Sequence, residues 1–376
     1  MGKNKRGRTS KKSKGSKENV QYSVDDLMDK VEEYVDCFEY DLALKFCDKA
    51  LKMDPSNARV IETSACVYAE TGNTDKAKTY FSKAAEVNPD NGHEKYMYLG
   101  QMSAGLEAQQ WYLKGIDVMK NMLNNKTSLD DQNPAAEATA NTAKFMNKGS
   151  VSNTDVSSAY CALAEIFMTD CCFEENAENQ CLEYCKQAID WDPNNVDAYI
   201  VNANFLLSTE KTEEARDLLG KCFSLLKLKE QKSDCLEDPD NEEISEEMEE
   251  IDDKEKEQDE SDESDEKEKN KCCPSYESRV TLAKLLTEVK EYEKSNLLLA
   301  GLTEEDDEDI YTWYMFGLNF FFGEQFSDAV VYLQKARELC EKLQCDDEEL
   351  INHLQEMLGK CEKIDNGCDE GMEIEN

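Results

Sequence analysis

Along most of the chain, apolar residues recur at the three- and four-residue spacing of amphipathic helices, with little Gly or Pro between them. Asp54-Pro55 and Asn88-Pro89 lie 34 residues apart, and each follows an amphipathic segment. Small residues precede the two prolines at the same offsets, Ala43 and Ala50 in one case and Ala77 and Ala84 in the other. Asp192-Pro193 closes a similar segment, with Cys181 and Ala188 in those places. The best-formed series is Trp313, Phe316-Gly317, Phe320, Ala329, Leu333, Ala336. Arg279, Leu282-Ala283, Leu286, Ser295, Leu299, Leu302 stand 34 residues upstream in the same frame.

This is the tetratricopeptide pattern, in which each repeat is two antiparallel helices. Gly317, Ala329 and Ala336 let the two helices approach, Trp313, Phe316, Phe320 and Leu333 fill the gaps, and Pro starts the next helix. The expected fold is all-α, an α-solenoid of about seven helix pairs with disordered charged tails and insert. Five repeats are well registered, and two drifted ones lie near 92–123 and 196–229. In the third, the second helix (Ala108 to Met122) lacks the usual small residues. The expected organisation is repeats one to three over 21–123 and a polar connector at 124–155. Repeats four and five follow at 156–233, then repeats six and seven with a closing helix at 272–364.

Charge explains the remaining segments. The chain has 376 residues, 83 acids against 43 Lys and Arg, and a net charge of −40. Residues 1–17 hold eight Lys or Arg and no acid, whereas 234–270 hold 21 acids and four Lys. Such blocks bury too little apolar surface to offset chain entropy, so 1–20, 234–271 and 365–376 are expected to be disordered. The repeat body is acidic as well, which disfavours direct nucleic-acid binding and favours a basic partner. No apolar stretch approaches the roughly 20 residues of a membrane helix. The basic N-terminus has no apolar run behind it, so no secretory signal is expected.

The sequence offers no catalytic constellation and no cofactor motif. It has no glycine-rich phosphate loop, His-Glu-x-x-His or Gly-x-Ser-x-Gly, and only two histidines, His93 and His353. The protein is therefore not expected to be an enzyme. Sixteen cysteines suggest a metal or disulfide framework, but no Cys-x-x-Cys occurs and neither histidine has a ligand-spaced neighbour. They are read as reduced core thiols, with Cys47, Cys172, Cys181, Cys185 and Cys222 at inward positions.

The first helix of each repeat lines the concave face of such a stack. Its exposed positions are expected to be Asp25, Asp29, Glu32 and Asp36 in the first repeat, and Glu62 and Glu70 in the second. Asp170 and Glu174 follow in the fourth, Asp197 and Asn204 in the fifth, and Tyr311, Tyr314 and Phe321 in the seventh. An acidic face with aromatic patches suits an extended Lys/Arg-rich segment, through charge-assisted hydrogen bonds and cation–π contacts. Repeats that hold a chaperone's C-terminal carboxylate present Lys and Asn, whereas the matching places here are Met28, Glu32 and Thr63, which would repel one.

Three stretches go beyond the general repeat: Tyr98 to Ala108, Ala164 to Glu178, and Pro274 to Glu288 continuing into Glu304–Glu308 and Trp313-Tyr314. Together they resemble the tetratricopeptide family of dedicated assembly chaperones for the large-subunit ribosomal protein L-four, over roughly residues 20–360. The segment Glu165…Met168-Thr169-Asp170 is the most specific part. The resemblance implies capture of that newly made basic protein by its long internal loop, protection from aggregation and delivery to nuclear pre-ribosomes without ATP. A protein of cytoplasm and nucleus is expected, acting as a monomer with no membrane partner. Glu165 joins the acidic face as a candidate contact.

Lys3, Lys5, Arg6, Arg8, Lys11 and Lys12 read as a nuclear import signal, implying an import receptor as partner, or as a solvating or RNA-contacting tail. A scaffold subunit of a multiprotein complex and a histone chaperone are the alternatives for the protein as a whole.

Overall fold

Short polar side chains set the helix starts. Ser23, Asn57, Ser152, Asn195, Ser275 and Asp309 each accept a hydrogen bond from a backbone N–H of the helix that follows. Ser23 with Asp26 and Ser152 with Asp155 complete reciprocal capping boxes. The computed structural model describes residues 22–130, 151–226 and 274–365, and every element among them is an α-helix. The basic tail, the acidic insert, most of the connector and the acidic tail beyond Asp365 lie outside the described residues.

Two compact units are formed, and each is described by itself. The first holds α1 (Val24–Asp36), α2 (Tyr40–Met53), α3 (Ala58–Glu70), α4 (Thr74–Val87), α5 (Glu94–Gln101) and α6 (Gly105–Asp130) from Leu113 onward. The second takes the start of α6 up to Tyr112, then α7 (Asn153–Met168), α8 (Ala177–Trp191), α9 (Val196–Ser208) and α10 (Thr212–Leu225). It continues with α11 (Tyr276–Glu288), α12 (Tyr292–Glu305), α13 (Ile310–Phe322), α14 (Phe326–Leu343) and the closing α15 (Glu348–Asp365). Residues 124–130 and 153–155, expected as connector, are helical. No helix among the described residues is long and apolar enough to cross a membrane.

The spacing that suggested helix pairs is the packing itself. Ala43, Ala50, Ala77, Ala84, Ala188, Ala329 and Ala336 are fully buried, and so are Ala215 and Cys222 in the drifted fifth repeat. Gly317 shows why these places stay small, because a Cβ built on it would lie 2.5 Å from Leu333 Cγ. In the third repeat the small residue is Gly115, where a Cβ would stand 3.0 Å from Tyr96 Cβ and closer still to Met97. That position corrects the expectation that this helix has none. Around Gly317, Tyr332 stacks on Phe316 and Phe320 with centroids 4.7 and 5.0 Å away.

Within five of the repeats the turn is three residues long with a left-handed middle residue, Phe38, Gly72, Glu210, Lys290 and Glu324, whereas in the third the left-handed residue is Gly105 at the start of α6. The fourth repeat differs, with eight residues from Thr169 to Asn176 joining α7 to α8. This longer turn puts Cys171 inward and Cys172 out in solvent, which corrects the inward placement of Cys172. Phe321 also departs from expectation: it is buried and packs edge-on against Phe326 at 5.5 Å, so it is not a groove residue.

Candidate functional site

The first helices of successive repeats meet in a fixed register. In the first unit Arg59, the second residue of α3, donates to Glu32 Oε1, the ninth position of α1, at 2.6 Å. Its other terminal nitrogen lies 3.9 Å from Asp25. One repeat on, Lys95, the second residue of α5, reaches Glu62 at 3.4 Å and donates to the Asn91 carbonyl. Lys95 is buried, and burial lowers its pKa while the Glu62 charge opposes the shift. Glu32 and Glu62 therefore face as the sequence suggested, but the chain's own cations already hold them. Met28 and Thr63 are buried, so neither meets a ligand, whereas Asp29 is exposed.

The second unit has the same register with different residues. Asp197, the second residue of α9, acts by its charge on Cys161, the ninth of α7, and on Glu165 one turn further along α7. No cation pairs with either carboxylate among the described residues. Glu165 reaches solvent, yet crowding by the surrounding protein raises its carboxyl pKa, and the Asp197 charge adds to the rise. Oδ1 of Asp197 is enclosed and receives no hydrogen bond, and Oδ1 of Asn202 on the same helix is in the same condition. Unfilled acceptors beside two like charges make a place suited to a donor that carries positive charge. Tyr112 is buried within range of the same charge, its phenol raised by burial and by Glu165.

Towards the C-terminus the register recurs with a third chemistry. Lys284, the ninth residue of α11, holds its ammonium 4.3 Å from the ring centre of Tyr311, the second residue of α13. Tyr311 is exposed and 5.8 Å from Tyr314. Tyr314 is pushed up to about 12, chiefly by burial, and its hydroxyl lies 2.6 Å from His353 Nδ1 on α15. Asn204 is exposed on α9 between these two ends. Asp170 sits off the helices: it accepts from the Gly105 N–H at 3.0 Å and anchors the long turn after α7, which also carries Glu174.

The buried thiols are raised by burial, Cys47 to about 11 and Cys66 and Cys222 to about 12, which keeps them protonated packing groups. No group of three or more His, Cys, Asp or Glu is placed to hold a metal among the described residues. The residues of the proposed import signal, Lys3 to Lys12, lie outside the described residues.

The acids stand out in the sequence one by one, but Arg59 and Lys95, the cations that separate filled acids from unfilled ones, do not. The signal was present, as a base at the second place of a first helix after an acid at the ninth or fifth place of the one before.

Known proteins resemble this one in both sequence and fold. The tetratricopeptide repeat pattern matches residues 58–91, covering α3, α4 and the turn behind them. A Schizosaccharomyces pombe protein described as a probable assembly chaperone of rpl4 is 29% identical over 338 residues, 84% of this chain and 83% of its own length. An Emericella nidulans protein with the same description is 22% identical over 74% of this chain, which spans 59% of that relative's length. The solved structure of Acl4, an assembly chaperone of RpL4, over its residues 1–338, superimposes with a TM-score of 0.59 at 22% identity. That match covers 82% of this chain and 99% of the other, and it bears out the all-α tetratricopeptide fold. The resemblance carried by Tyr98–Ala108, Ala164–Glu178 and Pro274–Glu288 thus extends over most of the chain.

Proposed function

We propose that this protein is a dedicated chaperone of the large-subunit ribosomal protein L-four, holding a Lys/Arg-rich extended segment of that client on the first helices of its second unit. The observation that carries the reading is the Glu165–Asp197 pair, two neighbouring carboxylates with no cation of their own among the described residues. Its relatives' descriptions name the same client for those proteins. The described residues of the second unit hold 36 acids against 13 Lys and Arg, whereas those of the first hold 18 against 12. A long-range field of this kind speeds the encounter with a basic, unfolded loop and competes with RNA for it.

Each charge-assisted hydrogen bond from a client Arg to a half-enclosed carboxylate contributes about 1.5–3 kcal/mol, which is roughly ten- to a hundredfold in affinity. Release then needs no nucleotide, since rRNA presents a denser array of negative charge and takes the client by mass action. Capture takes place in the cytoplasm and hand-over in the nucleus, with the basic N-terminal run read by an import receptor.

The test is co-purification. Tagged protein should bring down L-four at about one to one from low-salt lysate and lose it steeply as salt rises. A pulldown dominated by histones, or by proteins that stay bound at high salt, would replace this reading with that of a histone chaperone or a complex scaffold.

A further inference from the structure

Lys284 puts a cation on the run of first helices that carries Glu165, Asp197 and Glu277. It is exposed at the ninth place of α11, the place that Glu32 fills on α1 and Cys161 on α7. Two acids share its helix, Glu277 two turns before and Glu288 one turn after, and both are exposed. Neither pairs with Lys284, whose ammonium turns instead onto the face of Tyr311 at 4.3 Å. A cation held on a ring keeps its N–H donors available on the side away from the ring. No ion pair takes them among the described residues.

We propose that the second unit recognises a segment of mixed and ordered charge: Lys or Arg at Glu165 and Asp197, and an acidic side chain at Lys284. This deepens the reading above and rests on it. The order of the helices sets the spacing, because α7 packs on α9, α9 on α11 and α11 on α13. Two interaxial steps of about 8–10 Å separate the acid pair from the Lys284–Tyr311 pair. At about 3.3 Å per residue, an extended chain covers that span in five or six residues. Between the ends the register places Asn204, ninth on α9, and Glu277, second on α11, both exposed, with Val280 and Thr281 half-buried beside them. Lys284 therefore marks where the client's basic run must stop. A uniformly basic peptide would set like charge against it, and a membrane or nucleic acid would meet the wrong sign at Glu165, Asp197 and Glu277.

Two 14-residue synthetic peptides test this on the full chain by fluorescence anisotropy. Both carry Arg-Lys near one end and Gly, Ala and Ser between; six residues on, one has Glu and the other has Lys. The wild-type protein should prefer the Glu peptide by roughly fivefold, and Lys284→Glu should invert the preference. Glu165→Lys should weaken both peptides alike. If Glu165→Lys weakens both but Lys284→Glu leaves their order unchanged, the ordered-charge proposal fails and the basic-client reading stands. If neither peptide responds to Glu165→Lys, both fail.

Discussion

Arg59 and Asp197 occupy the same place, the second residue of a first helix, and carry opposite charge. Arg59 closes on Glu32 of the preceding first helix at 2.6 Å, whereas Asp197 adds its negative charge to that of Glu165 and leaves its own Oδ1 without a donor. One position of the repeat thus serves internal cohesion in the first unit and presents unfilled charge in the second.

Removing that charge should cost binding without costing stability. Glu165→Gln with Asp197→Asn keeps the volumes and removes a like-charge pair, so thermal unfolding should move up slightly or stay in place. Affinity for an Arg/Lys-rich peptide should fall about tenfold or more, read by calorimetry. A fall in melting temperature with unchanged affinity would make the pair a structural feature only.

Arg59→Ala should behave the opposite way. Both side chains of the pair are about a quarter exposed or less, and the substitution leaves Glu32 enclosed without its cation. A loss of about 1–2 kcal/mol in urea unfolding is expected, with no loss of peptide affinity.

Binding should also depend on pH through Glu165. Its folded pKa is raised, so the free protein keeps the Glu165 proton to a higher pH than an ordinary carboxyl does. A client cation favours the ionised form, so affinity rises with pH across the window from the usual glutamate range up to the raised value, with proton release on binding. The same shift acts on folding with the opposite sign: Glu165 contributes most to stability below its unfolded pKa and penalises the fold as pH rises through the folded one. Calorimetry in two buffers of different ionisation heat should detect the released proton in the wild type, and Glu165→Gln should remove it.

Packing between helix pairs gives an independent check. Gly317→Ala drives a methyl to 2.5 Å from Leu333 Cγ and should cost about 1–3 kcal/mol. Gly301→Ala, on exposed helix with nothing within 4 Å, should stabilise by about 0.5–1 kcal/mol. Equal effects at the two sites would contradict the close-packed pair.

Much of the fold was legible because the repeat writes its packing into one spacing. Ala43 and Ala50, like Ala329 and Ala336, are seven residues apart because two helical turns separate the two closest approaches. The errors arose where that register changes. Cys172 is expected inward, but the fourth repeat has eight residues between its helices, and Cys171 takes the buried place. Gly115 was overlooked because it stands out of frame with the alanines of other repeats. Of the site, the acids were legible individually and their occupancy was not, since Arg59 and Glu32 are 27 residues apart and meet only when first helices stack.

Hydrogen exchange by mass spectrometry, on the full chain with and without an Arg/Lys-rich peptide from the L-four loop, tests the central claim most directly. Protection should concentrate on α7, α9 and α11, strongest around Glu165 and Asp197, while α1 and α3 exchange as in the free protein. Protection of α1 and α3 with none on α7 and α9 would contradict the account.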